Sequence, residues 1–240
     1  DFISQIRQKI SSPKNFEEYI LSSLGQDLYD AFFKDYSQKH WGVHPKEIPI
    51  STAKRLPIRF NYNDNYFNDT YQGIPVEGYA VLFERMLKHE NIVVKLESSF
   101  DEYRYTWREK YDYLIYTGSM DEYFDYTAGF LPYRTLTFKP IRGKEIQGTA
   151  VMNYTDMSKP FTRIHEHKWF TPEKQFDSSI AFEEYSSFTD SRKDPIYPIH
   201  NAQSQEMLKV YSKLSKEEKN VIFLGRLAEF RYYDMHQVVA

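Results

Sequence analysis

YRTLTFK at 133–139, GTAVMNY at 148–154, FTRIHEHK at 161–168 and SSIAFEEYS at 178–186 are four strand-length segments separated by turn-like residues. Their β-branched and aromatic content and short spacing predict an antiparallel sheet. Upstream the period changes to helical. Asn15 is a candidate N-cap with Glu18 at capping-box spacing, Phe16, Ile20 and Leu24 fall on one face, and Gly25 marks the stop. A second helix follows from Gln26, its apolar side predicted to carry Leu28, Phe32 and Tyr36. His44–Pro45 and Ile48–Pro49 break that period, so 42–58 is loop or short helix, and 1–14 is a connector or fraying helix. Residues 59–76 read as irregular backbone or an edge strand. Gly78–His89 reads as a helix with Val81, Leu82, Met86 and Leu87 inward, and 92–96 and 111–116 read as strands. Beyond the sheet come a helix at 203–219, a short strand at 221–224, and a turn from Gly225 into a last helix cut off at the chain end. The fold class is therefore mixed α+β.

Composition narrows the function classes. The 240 residues are 41% hydrophobic and 27% charged, with 31 basic against 34 acidic groups and a net charge of -3. The pI is near 6.2 and the mean hydropathy is -0.67. No apolar run suits a membrane-spanning helix, and no block of like charge suits a nucleic-acid surface. Cysteine is absent, which removes disulfides and thiolate chemistry and fits a reducing cytoplasm. The first residue is Asp1, with no basic-then-apolar leader, which reads as a processed or cut chain. Aromatic content reaches 18%, from 21 Tyr, 18 Phe and 3 Trp. Tyrosine's flat face and hydroxyl tip suit sugars, bases and phosphates, and also suit an ordinary core.

Most motifs fail. None of the nine glycines form G-x-G, so no dinucleotide fingerprint is present. Gly143 and Gly148 have phosphate-loop spacing, but Thr149 stands where that loop needs Lys. His40 and His44 have zinc-helix spacing without its Glu. His165 and His167 would share a strand face, but no ligand cluster accompanies them, so no metal is expected. Arg55, Arg163 and Arg226 lie near Tyr-rich stretches, and a guanidinium fork pairs well with a diphosphate. Surface arginines in weak ion pairs are the commoner explanation. Phe32 and Tyr36, one turn apart, suit a clamp on a planar base as well as core packing. Residue chemistry reaches an α+β protein with a candidate site for a phosphorylated, sugar-like ligand.

Longer strings carry further. AFFKDYSQKHWGVHPKEIP (31–49), KRLPIRFNYNDNYFNDTYQGIPVEGY (54–79), YTGSMDEYFDY (116–126), GTAVMNYTDMSKPFTRIHEHKWF (148–170), EEYS (183–186) and GRLAEFRYYDM (225–235) closely resemble the UDP-galactopyranose mutase family, in order, from about Asn15 to the end. The resemblance implies a flavoenzyme interconverting UDP-galactopyranose and UDP-galactofuranose, in which N5 of reduced FAD attacks the anomeric carbon as UDP leaves. Position by position, it implies Arg55 and Arg163 as catalytic arginines on the diphosphate, the first on a mobile loop. Phe32 and Tyr36 match the uracil-packing pair, with Ser37 beside them, and Trp41 the tryptophan beside sugar and flavin. Tyr66, Tyr197 and Tyr232 match phosphate-binding hydroxyls, and Asn153 and Glu184 match the polar cleft lining. Arg226, Tyr233, Asp234 and Met235 resemble a flavin-contacting segment, and Arg134 matches a further arginine of the pattern.

It also implies an organisation: a helical substrate-binding part (1–58), a connecting segment with α/β pieces of a Rossmann-like FAD domain (59–130), an antiparallel sheet domain (131–202), and a helix with a truncated C-terminal flavin-contacting segment (203–240). A homodimer serving cell-surface polysaccharide synthesis is implied too. The family's N-terminal GxGxxG unit is missing, so the chain alone is expected to bind FAD poorly and not to turn over. The competing reading is a non-catalytic nucleotide-sugar or carbohydrate-binding module.

Overall fold

The computed structural model describes residues 5–63 and 65–240. Its largest element is a five-stranded sheet ordered β3-β4-β5-β2-β6. The strands are β2 (Pro132–Gly143), β3 (Val151–Asn153), β4 (Arg163–Glu166), β5 (Ser179–Asp190) and β6 (Tyr197–Pro198), and every pairing is antiparallel. Long β2 and β5 pair along their whole length, Pro132 opposite Asp190 and Gly143 opposite Ser179. Register places Arg163 of β4 opposite Glu184 of β5 and Asn153 of β3 opposite Arg163. Outside this sheet, β1 (Leu114–Tyr116) and β7 (Val221–Phe223) form a two-stranded parallel pair. The mixed α+β class with an antiparallel sheet is as the sequence predicts.

The N-terminal helices also follow the sequence. Asn15 caps Phe16–Leu24, its side chain accepting from the Glu18 amide at 2.9 Å, while Glu18 accepts from the Lys14 amide. Phe16, Ile20 and Leu21 bury against Tyr29, Ile48 and Ala53. A second core joins Met120, Leu131, Tyr133, Tyr211 and Phe230, and binds the helix Ala202–Glu217 to the start of β2. A third lies on the sheet around Phe161, Ile164 and Ala181. No helix among the described residues is long and apolar enough to cross a membrane.

Four expectations need correction. Residues 92–96 are not a strand, because a strand needs a neighbour's amides and carbonyls, and β1 pairs only with β7 among the described residues. The helix at Tyr79–Leu87 forms, but Leu82, Met86 and Leu87 are exposed rather than inward, since nothing among the described residues covers that face. The second helix does not keep Leu28, Phe32 and Tyr36 on one apolar side. A π-turn at Tyr29–Phe33 interrupts it, and that change of pitch buries Tyr29 and leaves Phe32 exposed. His165 and His167 do not share a strand face, because β4 ends at Glu166 and His167 opens a 3-10 turn against Phe170 and Phe182.

Candidate functional site

The helix Lys34–Trp41, which follows the π-turn, carries the first wall of the site. Its C-terminal carbonyls would be left without partners if nothing capped them. Arg134 from β2 does so, donating from Nε to the His40 carbonyl at 2.9 Å and from Nη2 to the Lys39 carbonyl at 3.2 Å. A cation at a helix C-terminus also complements the helix dipole. Burial pushes the Arg134 guanidinium down to about 10. Its planar group lies 4.3 Å over the Phe188 ring. Gly42 ends the helix at φ 73°, and a Cβ there would stand 2.6 Å from both Arg134 Nη1 and the Phe188 ring. Glycine is thus required twice, by backbone conformation and by space.

From this anchored helix an aromatic chain extends. The Tyr36 and His40 rings stack at 6.1 Å, and His40 meets Trp41 and Tyr197 edge-on, each at 5.1 Å. Tyr197, brought in by β6, stacks on Tyr232 at 5.1 Å, and Trp41 reaches both. His40 is buried and its Nδ1 has no hydrogen-bond partner among the described residues. Burial, with the charges of Arg163 and Arg134 adding to it, pushes the imidazole down to about 4, so it is neutral near pH 7.

Charge surrounds these rings. Arg55 lies 3.5 Å over the Tyr232 ring, and its Nη2 reaches both carboxylate oxygens of Asp234 at 3.1 Å. Arg226 lies 4.9 Å over Tyr232 and donates to the carbonyls of Tyr233 and Ile196, tying the C-terminal segment to the β6 edge. On the sheet, Glu184 is buried and fully engaged. Arg163 Nε and Thr162 Oγ1 each donate to its Oε1 at 2.8 Å, and His165 Nε2 stands 3.0 Å from its Oε2. Burial opposes that charge, but His165 and Arg163 hold the carboxyl below its ordinary value. Burial raises Tyr36, Tyr197 and Tyr232 above the ordinary phenol range. All three hydroxyls keep their protons near pH 7 and can donate to an anion. Three guanidinium groups with three phenol donors form a setting for phosphate oxygens.

Beside this cluster lies a cavity of about 580 Å³ bordered by Trp41, Pro49, Thr52, Arg55, Tyr232 and Tyr233. Arg163, Glu184 and Tyr36 are not among its lining residues. The remaining expected residues are placed unequally. Ser37 is buried, and Tyr66, though 55% exposed, lies within electrostatic reach of Tyr36. Phe32 is 55% exposed and makes no ring contact among the described residues. Asn153 is exposed on β3, and Met235 is exposed as the first residue of the terminal helix. Asp234 caps that helix while holding Arg55. Tyr233 donates to Glu229 and accepts from Arg231. Sequence reasoning missed His40, Thr162 and His165 as members. The signals were faint: His40 follows Tyr36 by one helical turn, and His165 follows Arg163 by one strand period.

The chain is similar to several known proteins. A family described as UDP-galactopyranose mutase matches residues 31–232. A curated probable UDP-galactopyranose mutase from Klebsiella pneumoniae is 43% identical over 232 residues, covering 96% of this chain and 60% of that protein. A dTDP-fucopyranose mutase from Escherichia coli is 42% identical, covering 95% and 62%. The UDP-galactopyranose mutase of Mycoplasma genitalium is 31% identical, covering 92% and 58%. The chain thus spans about 60% of the length of these relatives. A crystal structure of reduced UDP-galactopyranose mutase shares the fold at TM-score 0.50 and 14% identity, covering 95% of this chain and 66% of that one. With a family match across most of its length, the arginine–tyrosine cluster included, the chain belongs to the UDP-galactopyranose mutase family.

Proposed function

We propose that this chain is the substrate-binding part of a flavin-dependent mutase that interconverts UDP-galactopyranose and UDP-galactofuranose. The observation that carries the reading is the convergence of Arg55, Arg163, Tyr36, Tyr197 and Tyr232, from separate stretches of sequence, on one aromatic cluster. The guanidinium groups neutralise a diphosphate, and the protonated phenols donate to its oxygens. Both effects grow as charge develops on a leaving diphosphate, which makes them catalytic as well as binding contributions. Trp41 and Tyr36 offer flat faces for base and sugar, with Phe32, Ser37 and Tyr66 at the nucleotide end and Asn153 and Glu184 along the cleft. Glu184 also fixes the orientation of Arg163, since two of its contacts hold the carboxylate independently of that arginine.

The cavity between Trp41, Arg55 and Tyr232 fits the ring end of FAD: it is partly aromatic, polar at Arg55 and Gln237, and within the usual ligand-pocket size. Arg226, Tyr233, Asp234 and Met235 border the same segment. Reduced FAD, when bound, supplies the nucleophile that displaces the diphosphate from the anomeric carbon. The chain has no glycine cradle for the FAD diphosphate, so by itself it holds FAD poorly and does not turn over. The intact protein is a cytoplasmic homodimer that supplies galactofuranose for cell-surface polysaccharide.

A second reading is favoured by the dTDP-fucopyranose mutase, which matches this chain nearly as well as the Klebsiella protein. The substrate would then be a thymidine-linked 6-deoxy sugar. Calorimetric titration with UDP, UDP-galactose and dTDP, with and without FAD, separates the readings. The expected result is UDP binding that is lost in Arg163→Ala and still lost in Arg163→Ala/Glu184→Gln, where no uncompensated buried carboxylate remains. Preference for dTDP would favour the fucose reading. No nucleotide binding at all would remove the substrate-binding assignment of this chain.

A further inference from the structure

Lys39 lies on the site helix, between Tyr36 and Trp41, and faces the hairpin joining β3 to β4. Its Nζ sits 2.6 Å from the Tyr154 carbonyl, 2.8 Å from Asp156, and 3.0 Å from both Lys159 and Phe161. It makes no ion pair among the described residues. The surrounding loop is closed by the Tyr154 amide donating to the Thr162 carbonyl at 2.9 Å, and Thr162 is tied to Glu184. Immediately outside the closed loop stand Asn153 and Arg163, paired across β3 and β4.

An ammonium has three N–H donors, so four carbonyls at this range are gathered by charge as much as by directional hydrogen bonds. Carbonyl cages of this kind hold a desolvated monovalent cation. Without a cation at the centre, four carbonyl dipoles pointing at one place would repel one another and the loop would open.

We propose that Lys39 is a positioning residue, a tethered cation that folds the 154–161 loop around itself and so fixes Arg163 and Asn153 against the helix carrying Tyr36. A planar guanidinium cannot converge on four carbonyls, so arginine is not an equivalent here. Burial, which lowers the Lys39 pKa, shows that the charge is kept at some cost.

The test uses Lys39→Ala, with Lys39→Met as the variant that keeps the methylene stem should the alanine variant not fold. Amide hydrogen exchange at 155–163 reports the loop directly. Exchange there is expected to rise by about tenfold or more in the variants. Added potassium or methylammonium should restore protection in Lys39→Ala, whereas tetramethylammonium, too large for the cage, should not. UDP affinity, an arm that rests on the nucleotide-sugar reading, should weaken by roughly tenfold and recover with the same cations. Unchanged exchange, or raised exchange indifferent to the cation, would overturn the proposal. UDP affinity untouched while the loop opens would overturn its link to Arg163. Failure of the unsubstituted protein to bind UDP would count against the functional reading alone, leaving the exchange arm to decide the role of Lys39.

Discussion

His40 shows how a single side chain ties stability to the site. Burial, aided by Arg163 and Arg134, holds its folded pKa at about 4, against about 6.5 for an ordinary histidine. Between those values the unfolded chain binds a proton that the folded chain refuses. Stability from His40 is therefore fully present above about pH 6.5 and lost as pH falls toward 4, by up to ~3 kcal/mol. Thermal unfolding of wild type and His40→Phe across that window is the check. The wild-type midpoint should fall more steeply on acidification, and parallel curves would show that His40 is not kept neutral. Glu184 and Asp234 show a further point at this scale. Each is an acid whose partner is an arginine of the candidate site, so the arginines are oriented before any ligand arrives.

The helix from Lys34 to Trp41 connects those residues to the fold. Its approach is set by the π-turn, its C-terminus by Arg134, and its end by Gly42. Gly42→Ala would force a side chain into a left-handed backbone position and drive its Cβ into Arg134 and Phe188. The expected loss is about 1–3 kcal/mol, measurable by chemical denaturation. On the proposed nucleotide-sugar reading, nucleotide affinity should fall with it, because Arg134 would have to move. A neutral Gly42→Ala would mean that the helix end is free to shift. Four-residue spacing identified this helix, yet could not reveal the π-turn, because Tyr29 is held by groups outside its own segment: it buries in the first core and its hydroxyl donates to Glu17. In the same way, residues 92–96 have the composition of a strand and find no pairing partner among the described residues.

Across the whole molecule the three cores meet around the site: Trp41 packs on the first, Tyr232 follows Phe230 of the second, and Arg163 precedes Ile164 of the third. Residues 79–96 contribute little to any of them. Leu82, Phe83, Met86, Val93, Val94 and Leu96 are all exposed, as is Ile222 on β7. Exposed apolar surface of this extent should bind a hydrophobic dye such as ANS in the folded state. Val93→Lys/Leu96→Lys should lower that fluorescence without lowering the unfolding midpoint. Dye binding that is absent, or unchanged by the substitutions, would show that this face is covered in solution.

The sequence by itself determined the antiparallel sheet, the capped N-terminal helix and, through its long strings, the family. Each of these rests on local period, cap chemistry or residue identity, which the chain carries wherever it folds. Through the same resemblance it named Arg163 and Tyr36 as candidate residues. Only the tertiary structure decided what holds them. Glu184 faces Arg163 through strand register, Arg134 finds the helix end from a distant strand, and Lys39 gathers four carbonyls from a loop more than a hundred residues away. Such contacts depend on which surfaces meet when the cores bury. No spacing within one segment encodes them.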